Sequence, residues 1–469
     1  MGSGSEASMA YKLDEEIMNQ VAAIRVTGDG NFIDAESLSV VVEDILKHTA
    51  PIVGSFLPGT QAPLINVEDI TPSASFSSPF CILKQISCKM DCNAPGEVNA
   101  HETTLSILRM LSDYSWDARA VMTLAAFAFG FGEFWFLVQL QSSDELAKSV
   151  ASLKQIPVLV GRKQFQKHQQ AFTELINLIK GTMEVIRCIF ELEKLPNYGR
   201  ENVPALSKAL DHIPIHVYWV IRTVVGCSTQ MTRITGDDQQ QAVDDLSSLA
   251  YNLDHILNNL KMQLNTCKQQ IEATETEAYQ ILENQFQTHP TITEVIKALC
   301  YGKSNMQLLI DGSTEVNFDI LKHKYVLLLF SGPDVSENDL LTLKQLHQEI
   351  GNRGKIVWIP IVGKATPDIE MKFRSRGSEV PLYIVHKFSP IPGIKFIKEK
   401  WHFRHEALLV VINAKVRVEQ CILLGQIKDI NSFPCFRKKK MDVLVDGISR
   451  CACHCLCVHV PTSKCCQRH

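Results

Sequence analysis

The sequence lacks an excess of charge of either sign. Its 47 basic and 51 acidic residues leave a formal net charge of −4 on 469 residues. A chain with this balance has no overall electrostatic field that would attract it to nucleic acid or to an anionic membrane. No nucleic-acid partner is therefore expected.

The chain also begins without a recognisable targeting signal. The stretch MGSGSEASMA contains neither a basic segment nor a compact apolar one, so no secretory signal is predicted and a cytosolic protein is expected. Gly2 is no candidate for myristoylation, because Glu6 stands where that motif has Ser or Thr. Residues 1–10 are small and polar, and we expect them to form a disordered leader.

A complete calcium-binding loop is missing as well. The segment TGDGNFIDAESL resembles part of an EF-hand. A loop started at Asp29, however, has Ile33 at its fifth position, Asp34 in place of the turn glycine and Val40 in place of the terminal Glu. We interpret Asp34 instead as the N-cap of a helix at Ser37–Leu46. A long proline-rich surface connection is expected to follow at Pro51–Pro79.

Apolar residues are plentiful enough for a globular protein. Hydrophobic residues make up 45% of the chain and charged residues 21%, and the length predicts two or three domains. The patterns below predict an α/β multidomain fold with a mostly helical region at 11–290, a thioredoxin-like α/β domain at 305–420 and an irregular cysteine-rich tail at 421–469.

The most apolar part of the helical region is HETTLSILRMLSDYSWDARAVMTLAAFAFGFGEFWFLVQL, residues 101–140. Three leucines recur at helical spacing near its start, and Glu133 is the only charged residue from Val121 to Leu140. We predict a helix at Glu102–Ser112, a second at Trp116–Phe129 that breaks near Gly130 and Gly132, and a short apolar piece at Phe134–Leu140.

This apolar run is long enough to cross a membrane, because about 20 residues suffice. It has no Lys or Arg cluster on either side and contains two glycines, so a buried core helix is favoured over a membrane anchor at residues 120–140. The expected buried anchors are Leu105, Leu108, Leu111, Trp116, Phe127, Phe134 and Trp135.

Further helices are predicted downstream. Apolar residues at spacings of three and four indicate one long helix at Phe165–Leu195 and another at Pro204–Val225, interrupted by Pro214. A stripe from Leu246 to Ile271 alternates threes and fours. Packing inside a helical bundle is the favoured interpretation, and self-association through a coiled coil is the alternative.

After Pro290 the pattern changes to alternating strands and helices. This order is typical of a small α/β domain of thioredoxin type. The predicted elements are strands at Tyr325–Phe330, Ile356–Val362, Pro381–Val385, Leu408–Ile412 and Val416–Val418, with a helix at Asn338–Gly351.

The position of a thioredoxin dithiol carries no nucleophile. The first strand is followed by Ser331, Gly332, Pro333 and Asp334, where a Cys-x-x-Cys pair would lie. Ala407 also precedes the strand LLVVI, where such proteins have a proline. No catalytic residue is therefore predicted, and a thiol oxidoreductase could use only cysteines of the tail.

The tail has an unusual cysteine spacing. Cys451, Cys453, Cys455 and Cys457 stand at every second residue, without the two-residue spacing that structural zinc sites prefer. Metal binding, intermolecular disulfides and disorder all stay open as interpretations, and no metal ligand is assigned.

Three segments resemble a known family. HETTLSILRMLSDYSWDARAVMTLAAFAFGFGEFW is similar to the signature of the plant sieve element occlusion family, the phloem P-proteins that include forisome subunits. FDILKHKYVLLLFSGPDVSENDLLTLKQL with KIVWIPIV resembles that family's degenerate thioredoxin-like domain, and IKFIKEKWHFRHEALLVVINAKVRV resembles the segment that follows it. The resemblance covers roughly residues 10–420.

The resemblance implies a structural protein of the sieve-element cytoplasm rather than an enzyme. It implies assembly with copies of itself or with other subunits of the family into filaments or bodies that occlude sieve plates after wounding. It implies no cofactor; a response to calcium is implied for forisome subunits, with no site identifiable here. The chain departs from the family pattern after Val418, where a short tail stands in place of a further long α/β region.

Overall fold

The computed structural model of the chain describes residues 16–427 with internal gaps, together with residue 433. The leader, the first residues of the EF-hand-like segment, most of the proline-rich connection and the tail from residue 434 lie outside the described residues. The gaps are residues 25–32, 56–78, 93–96, 142, 155, 157–161, 236–245, 289, 305–307, 313, 364–366 and 387–389.

The described part of the N-terminal region is helical. A short helical segment at residues 16–22 precedes the named helices. These are α1 (Ala35–Ser55), α2 (Phe80–Asp91), α3 (Glu97–Met110), α4 (Trp116–Leu140), α5 (Glu145–Leu153), α6 (Arg162–Lys194), α7 (Pro204–Asp211), α8 (Ile213–Thr235), α9 (Leu246–Gln287) and α10 (Ile292–Cys300).

Helix α1 begins where its predicted N-cap stands but ends later than expected. Asp34 accepts a hydrogen bond from the Ser37 backbone N–H at 3.0 Å, as an N-cap does. The helix continues through Pro51 to Ser55, so the prediction of a connection starting at Pro51 was wrong. A proline near the end of a helix removes one backbone donor but does not by itself stop the helix.

Helix α4 is continuous, and the predicted break at Gly130 and Gly132 was wrong. Gly132 lies where α1 comes closest to α4: a Cβ atom there would stand 2.8 Å from Cγ2 of Ile45. The glycine is therefore explained by close helix packing and not by a turn. Helix α3 likewise starts at Glu97, earlier than predicted, and ends at Met110.

Helix α4 is the centre of the helical core. It contacts α1, α2, α5, α6 and α8, and six of the seven expected anchors are buried; Trp116 is only half-buried. Among the described helices it alone has the length and apolarity of a membrane span, but 72% of its most apolar window is buried inside the protein. This burial agrees with the expected core helix.

The later helices follow the predicted patterns. Helix α6 covers the predicted long helix, and Pro214 lies in the first turn of α8, which runs on to Thr235. The stripe on α9 is buried from Leu246 to Ile271, with only Leu249 half-exposed, against α6, α7 and α8. The bundle interpretation of this stripe is therefore confirmed.

The C-terminal part contains a mixed seven-stranded sheet. Its order is β2-β1-β5-β4-β3-β6-β7, with β3, β4 and β5 parallel and the other neighbours antiparallel. The strands are β1 (Leu308–Asp311), β2 (Thr314–Asn317), β3 (Tyr325–Ser331), β4 (Gly354–Pro360), β5 (Tyr383–Val385), β6 (Leu408–Ile412) and β7 (Val418–Leu423).

Helices cover both faces of this sheet. One face, with Leu328 and Val410, packs on α10, on the end of α9 and on α13 (Ile394–Lys400). The other face, with Leu329 and Trp358, packs on α11 (Glu337–Ile350) and α12 (Pro367–Glu379). Alternate residues of each central strand therefore enter different cores, which explains the continuous apolar runs of the sequence.

The edges of the sheet differ from the prediction. Strands β1 and β2 were not predicted, and the hairpin partner of β6 is β7, beginning at Val418. Val416, expected in a strand, has a φ of +57° and lies in the turn. The backbone of Val416 hydrogen-bonds to Asn413, which closes this turn.

Candidate functional site

A buried hydrogen bond between two side chains lies at the end of β3. Ser331 is buried, and its Oγ accepts a hydrogen bond of 2.7 Å from Nε1 of Trp358 on β4. Helix α11 then begins at the N-cap Ser336, whose hydroxyl accepts from the Asp339 backbone N–H. These residues supply packing and capping.

The described cysteines form no disulfide with one another, and four of them are buried. Cys188, Cys227, Cys267 and Cys300 are buried, and burial raises the pKa of Cys227 to about 12. Burial also raises the pKa of Cys188 and of Cys267. A raised pKa disfavours the thiolate, which is the reactive form, so these three thiols behave as small apolar side chains.

The described residues include no group of three or more His, Cys, Asp or Glu side chains that could hold a metal ion. The tail cysteines, on which the metal interpretation depended, lie outside the described residues. Asp34 of the EF-hand-like segment caps α1, and Glu36 of the same segment pairs with Lys194.

His101, at the start of the HETT segment, joins three parts of the helical region. Its Nδ1 lies 2.7 Å from the Tyr218 hydroxyl on α8, and its Nε2 lies 3.1 Å from Oε1 of Gln20. The imidazole therefore links α3 to α8 and to the segment at residues 16–22. His101 therefore has a structural role: it positions the start of the HETT segment.

Arg119 stabilises the connection between α3 and α4. Its Nε donates to the Tyr114 carbonyl and one terminal nitrogen donates to the Ser112 carbonyl, both at 2.8 Å. Its guanidinium also lies over the Trp116 ring. Burial lowers the pKa of Arg119 to about 10, so the side chain keeps its charge at neutral pH.

His216 on α8 is a buried titratable group. Neither ring nitrogen has a hydrogen-bond partner among the described residues, and the side chain is 6% exposed. Burial and the neighbouring His212 lower the pKa of His216 to about 4. The imidazole is therefore neutral at physiological pH.

Asn202 joins the helical region to the sheet region. Its side-chain amide donates to the carbonyls of Tyr198 and Tyr301 at 3.0 and 3.1 Å, and its Oδ1 accepts from the Lys303 backbone N–H at 2.9 Å. Gly302 has a φ of +57°, and a Cβ there would stand 2.5 Å from Oδ1 of Asn202. Only glycine fits this contact.

The end of α9 makes a second junction. Glu283 forms an ion pair with Lys400 of α13 at 2.7 Å. Phe286 stacks on Phe396 and meets Trp401 edge to face. One helix therefore contributes to both the helical core and the sheet core.

Helices α4 and α5 expose large apolar side chains. Phe136 is 58% exposed, Leu146 74% and Leu153 86%, and Lys154 next to Leu153 pairs with Glu133 of α4 at 2.6 Å. We call these three apolar residues the α4–α5 surface. Large exposed apolar patches mark interaction sites in many proteins.

The sequence patterns predicted neither the α4–α5 surface nor the contacts that join the helical region to the sheet region. Apolar residues at helical spacing indicate that a helix has a buried face, but they do not show which apolar residues find no partner. The polar residues His216 and Asn202 carry no sequence signal either, because their neighbours lie far away along the chain.

Comparison with known proteins identifies the family. Residues 12–290 match a family profile described as the sieve element occlusion N-terminus. The chain is 32% identical to Protein SIEVE ELEMENT OCCLUSION B of Arabidopsis thaliana over 94% of its own length and 65% of that protein's. It is 28% identical to Protein SIEVE ELEMENT OCCLUSION A of the same plant, over 90% of the chain and 52% of the relative.

Protein SIEVE ELEMENT OCCLUSION C of the same plant is also 28% identical, over 86% of the chain and 63% of the relative. The chain thus spans about half to two thirds of the length of the curated relatives it matches. The profile match covers more than half of the chain. The chain therefore belongs to the sieve element occlusion family.

Proposed function

We propose that this chain is a structural, self-assembling phloem protein that takes part in the occlusion of sieve elements and works in their cytoplasm. It assembles with its own copies or with other members of the family, into filaments or bodies of the P-protein or forisome kind. The proposal rests on family membership. It includes no enzymatic step.

The α4–α5 surface is the structural observation that supports self-assembly. Burying three large apolar side chains between copies releases ordered water and contributes roughly 25 cal/mol for each Å² removed from solvent. We propose this surface as one contact between subunits. It lies on helices whose other faces are packed in the core, so its geometry is fixed before association.

We also propose that the sheet region has a thioredoxin-like fold with residues 305–420 as its domain, beside the helical domain at 11–290. The order β4-β3-β6-β7, with β6 antiparallel to β3, supports this assignment. The leader at 1–10 and the tail at 421–469 complete the proposed division.

The test measures assembly of the full chain by sedimentation velocity and negative-stain electron microscopy, with and without calcium. The wild type should form large species as its concentration rises. The double variant Leu146→Ser/Leu153→Ser should shift this assembly to higher concentration, because both leucines are exposed in the subunit and their replacement removes only an intermolecular contact.

Leu341→Ser is the matched control, since Leu341 is exposed on α11, in the sheet region. It should assemble like the wild type, and all variants should keep the same melting temperature. A wild-type chain that stays monomeric at every concentration, with and without calcium, would refute the proposed function. Normal assembly of the double variant would refute only the proposed contact.

A further inference from the structure

A groove opens between α1 and α6 on the side of the helical region that carries Arg187. Its volume is about 430 Å³, within the range of roughly 300–1,000 Å³ that ligand sites occupy. Leu46 of α1 forms one wall, Ile176 of α6 forms the other, and Phe131 of α4 lies between them. This α1–α6 groove has no role in the proposed assembly contact.

The two walls of the groove pack closely on different neighbours. Helix α1 packs closely on α4 at Gly132, next to Phe131. Helix α6 packs closely on α9 at Gly181, where a Cβ atom would stand 2.9 Å from Leu253. Each wall is therefore packed from behind against a different helix.

The lining is apolar inside and charged at the mouth. The apolar side chains are Leu46, Phe131, Leu175, Ile176, Ile179 and Met183. Arg187 bridges the walls, because it pairs with Glu43 of α1 at 2.6 Å and also with Glu184 of α6. The two carboxylates of the lining thus share the single positive charge of Arg187.

Two further cations line the groove. Lys47 on α1 and Lys180 on α6 line the groove, and neither has an ion pair or hydrogen bond through its ammonium group among the described residues. The lining holds three cations (Lys47, Lys180 and Arg187) and two carboxylates (Glu43 and Glu184), so the mouth carries a net positive charge of one above an apolar interior. The ligand that complements this arrangement has one anionic head and an apolar body.

We propose that the α1–α6 groove binds a long-chain carboxylic acid. The hydrocarbon lies against Phe131, Ile176 and Met183, and the carboxylate is held between Lys47 and Lys180. A charged head on a flexible chain uses both features of the groove, whereas a folded protein segment such as a helix would need a longer channel. Binding of a fatty acid is thus separate from assembly through the α4–α5 surface.

The test uses the full chain and displacement of the fluorescent fatty acid cis-parinaric acid by oleate. Oleate should displace the probe with a saturable, one-site curve, and methyl oleate should bind about tenfold more weakly because it has no charge for the lysines. Lys47→Gln/Lys180→Gln should weaken oleate about tenfold and leave methyl oleate unchanged. Lys208→Gln, at an exposed site on α7, is the matched control.

A second variant tests the apolar interior. Ile176 is half-exposed on the groove wall, so Ile176→Trp should fill the cavity without unfolding the protein, and it should abolish binding of both oleate and its ester. Circular dichroism checks that each variant folds. Absence of oleate binding by the wild type, or equal oleate affinity of the wild type and all variants, would overturn the proposal.

Discussion

The guanidinium carbon of Arg119 lies 4.0 Å from the centre of the Trp116 ring. The same side chain donates to two backbone carbonyls of the turn that precedes α4. One residue thus holds the α3–α4 connection from inside, through a cation–π contact and two charge-assisted hydrogen bonds.

We expect Arg119→Met to lower the free energy of unfolding by about 3 kcal/mol, because it leaves the carbonyls of Ser112 and Tyr114 buried without donors. Arg119→Lys should lose nearly as much, since one ammonium cannot reproduce the planar fork over the Trp116 ring. Urea denaturation followed by circular dichroism measures both. Full stability of either variant would show that the carbonyls have other donors.

Gly130 and Gly132 form a matched pair in α4. Gly130→Ala should stabilise the protein by about 0.5–1 kcal/mol through helix propensity, since the nearest atom to its Cβ is 4.0 Å away. Gly132→Ala should destabilise it by about 1–3 kcal/mol through the clash with Ile45. Thermal melting separates the two, and Gly132→Ala should cost less in an Ile45→Ala background, which lacks the clashing Cγ2. Equal effects of both alanines would contradict the close approach of α1.

Asn202→Ala should weaken the junction between the two regions. The change leaves the Lys303 N–H without its partner and removes one donor from the carbonyls of Tyr198 and Tyr301, at a cost of about 1–3 kcal/mol. Hydrogen exchange should quicken at α10 and at residues 301–304, while the centre of α4 keeps its protection. Asn177→Ala, at an exposed site on α6, serves as the control and should change neither region.

His216 should make the protein less stable in acid. The native pKa of about 4 lies below the ordinary value of 6.5, so the unfolded chain binds a proton that the native state does not. The contribution of this histidine is fully present above pH 6.5 and declines as the pH falls to about 4, by about 3 kcal/mol in total. His216→Leu should flatten this part of the curve of unfolding free energy against pH. An unchanged slope would show that other groups dominate it.

Much of the fold followed from the sequence where a pattern repeats. The apolar runs at Tyr325–Phe330 and Ile356–Val362 predicted buried central strands, and the spacing on α9 predicted a helix packed in a bundle. Such patterns indicate which residues are buried, whichever residues pack against them. The predictions based on them therefore need no knowledge of the neighbouring elements.

The failures have a common physical cause in long-range contacts. Gly132 looked like a helix break because its partner Ile45 stands elsewhere in the chain, and β1 and β2 are too short to show a period. The α4–α5 surface could not be predicted, since exposed Leu153 and a buried leucine look alike in sequence. The absence of a dithiol after β3 was visible, because it depended on local residues alone.

Helix α9 has a mechanical consequence for any larger structure built from this chain. It runs for 42 residues, which is about 60 Å at the rise of an α-helix, and it shares side chains with both cores. No loop interrupts this helix, so the same rod of backbone runs from the helical core into the sheet core. Repeating units of this kind would have a fixed spacing, set by a rod within each subunit.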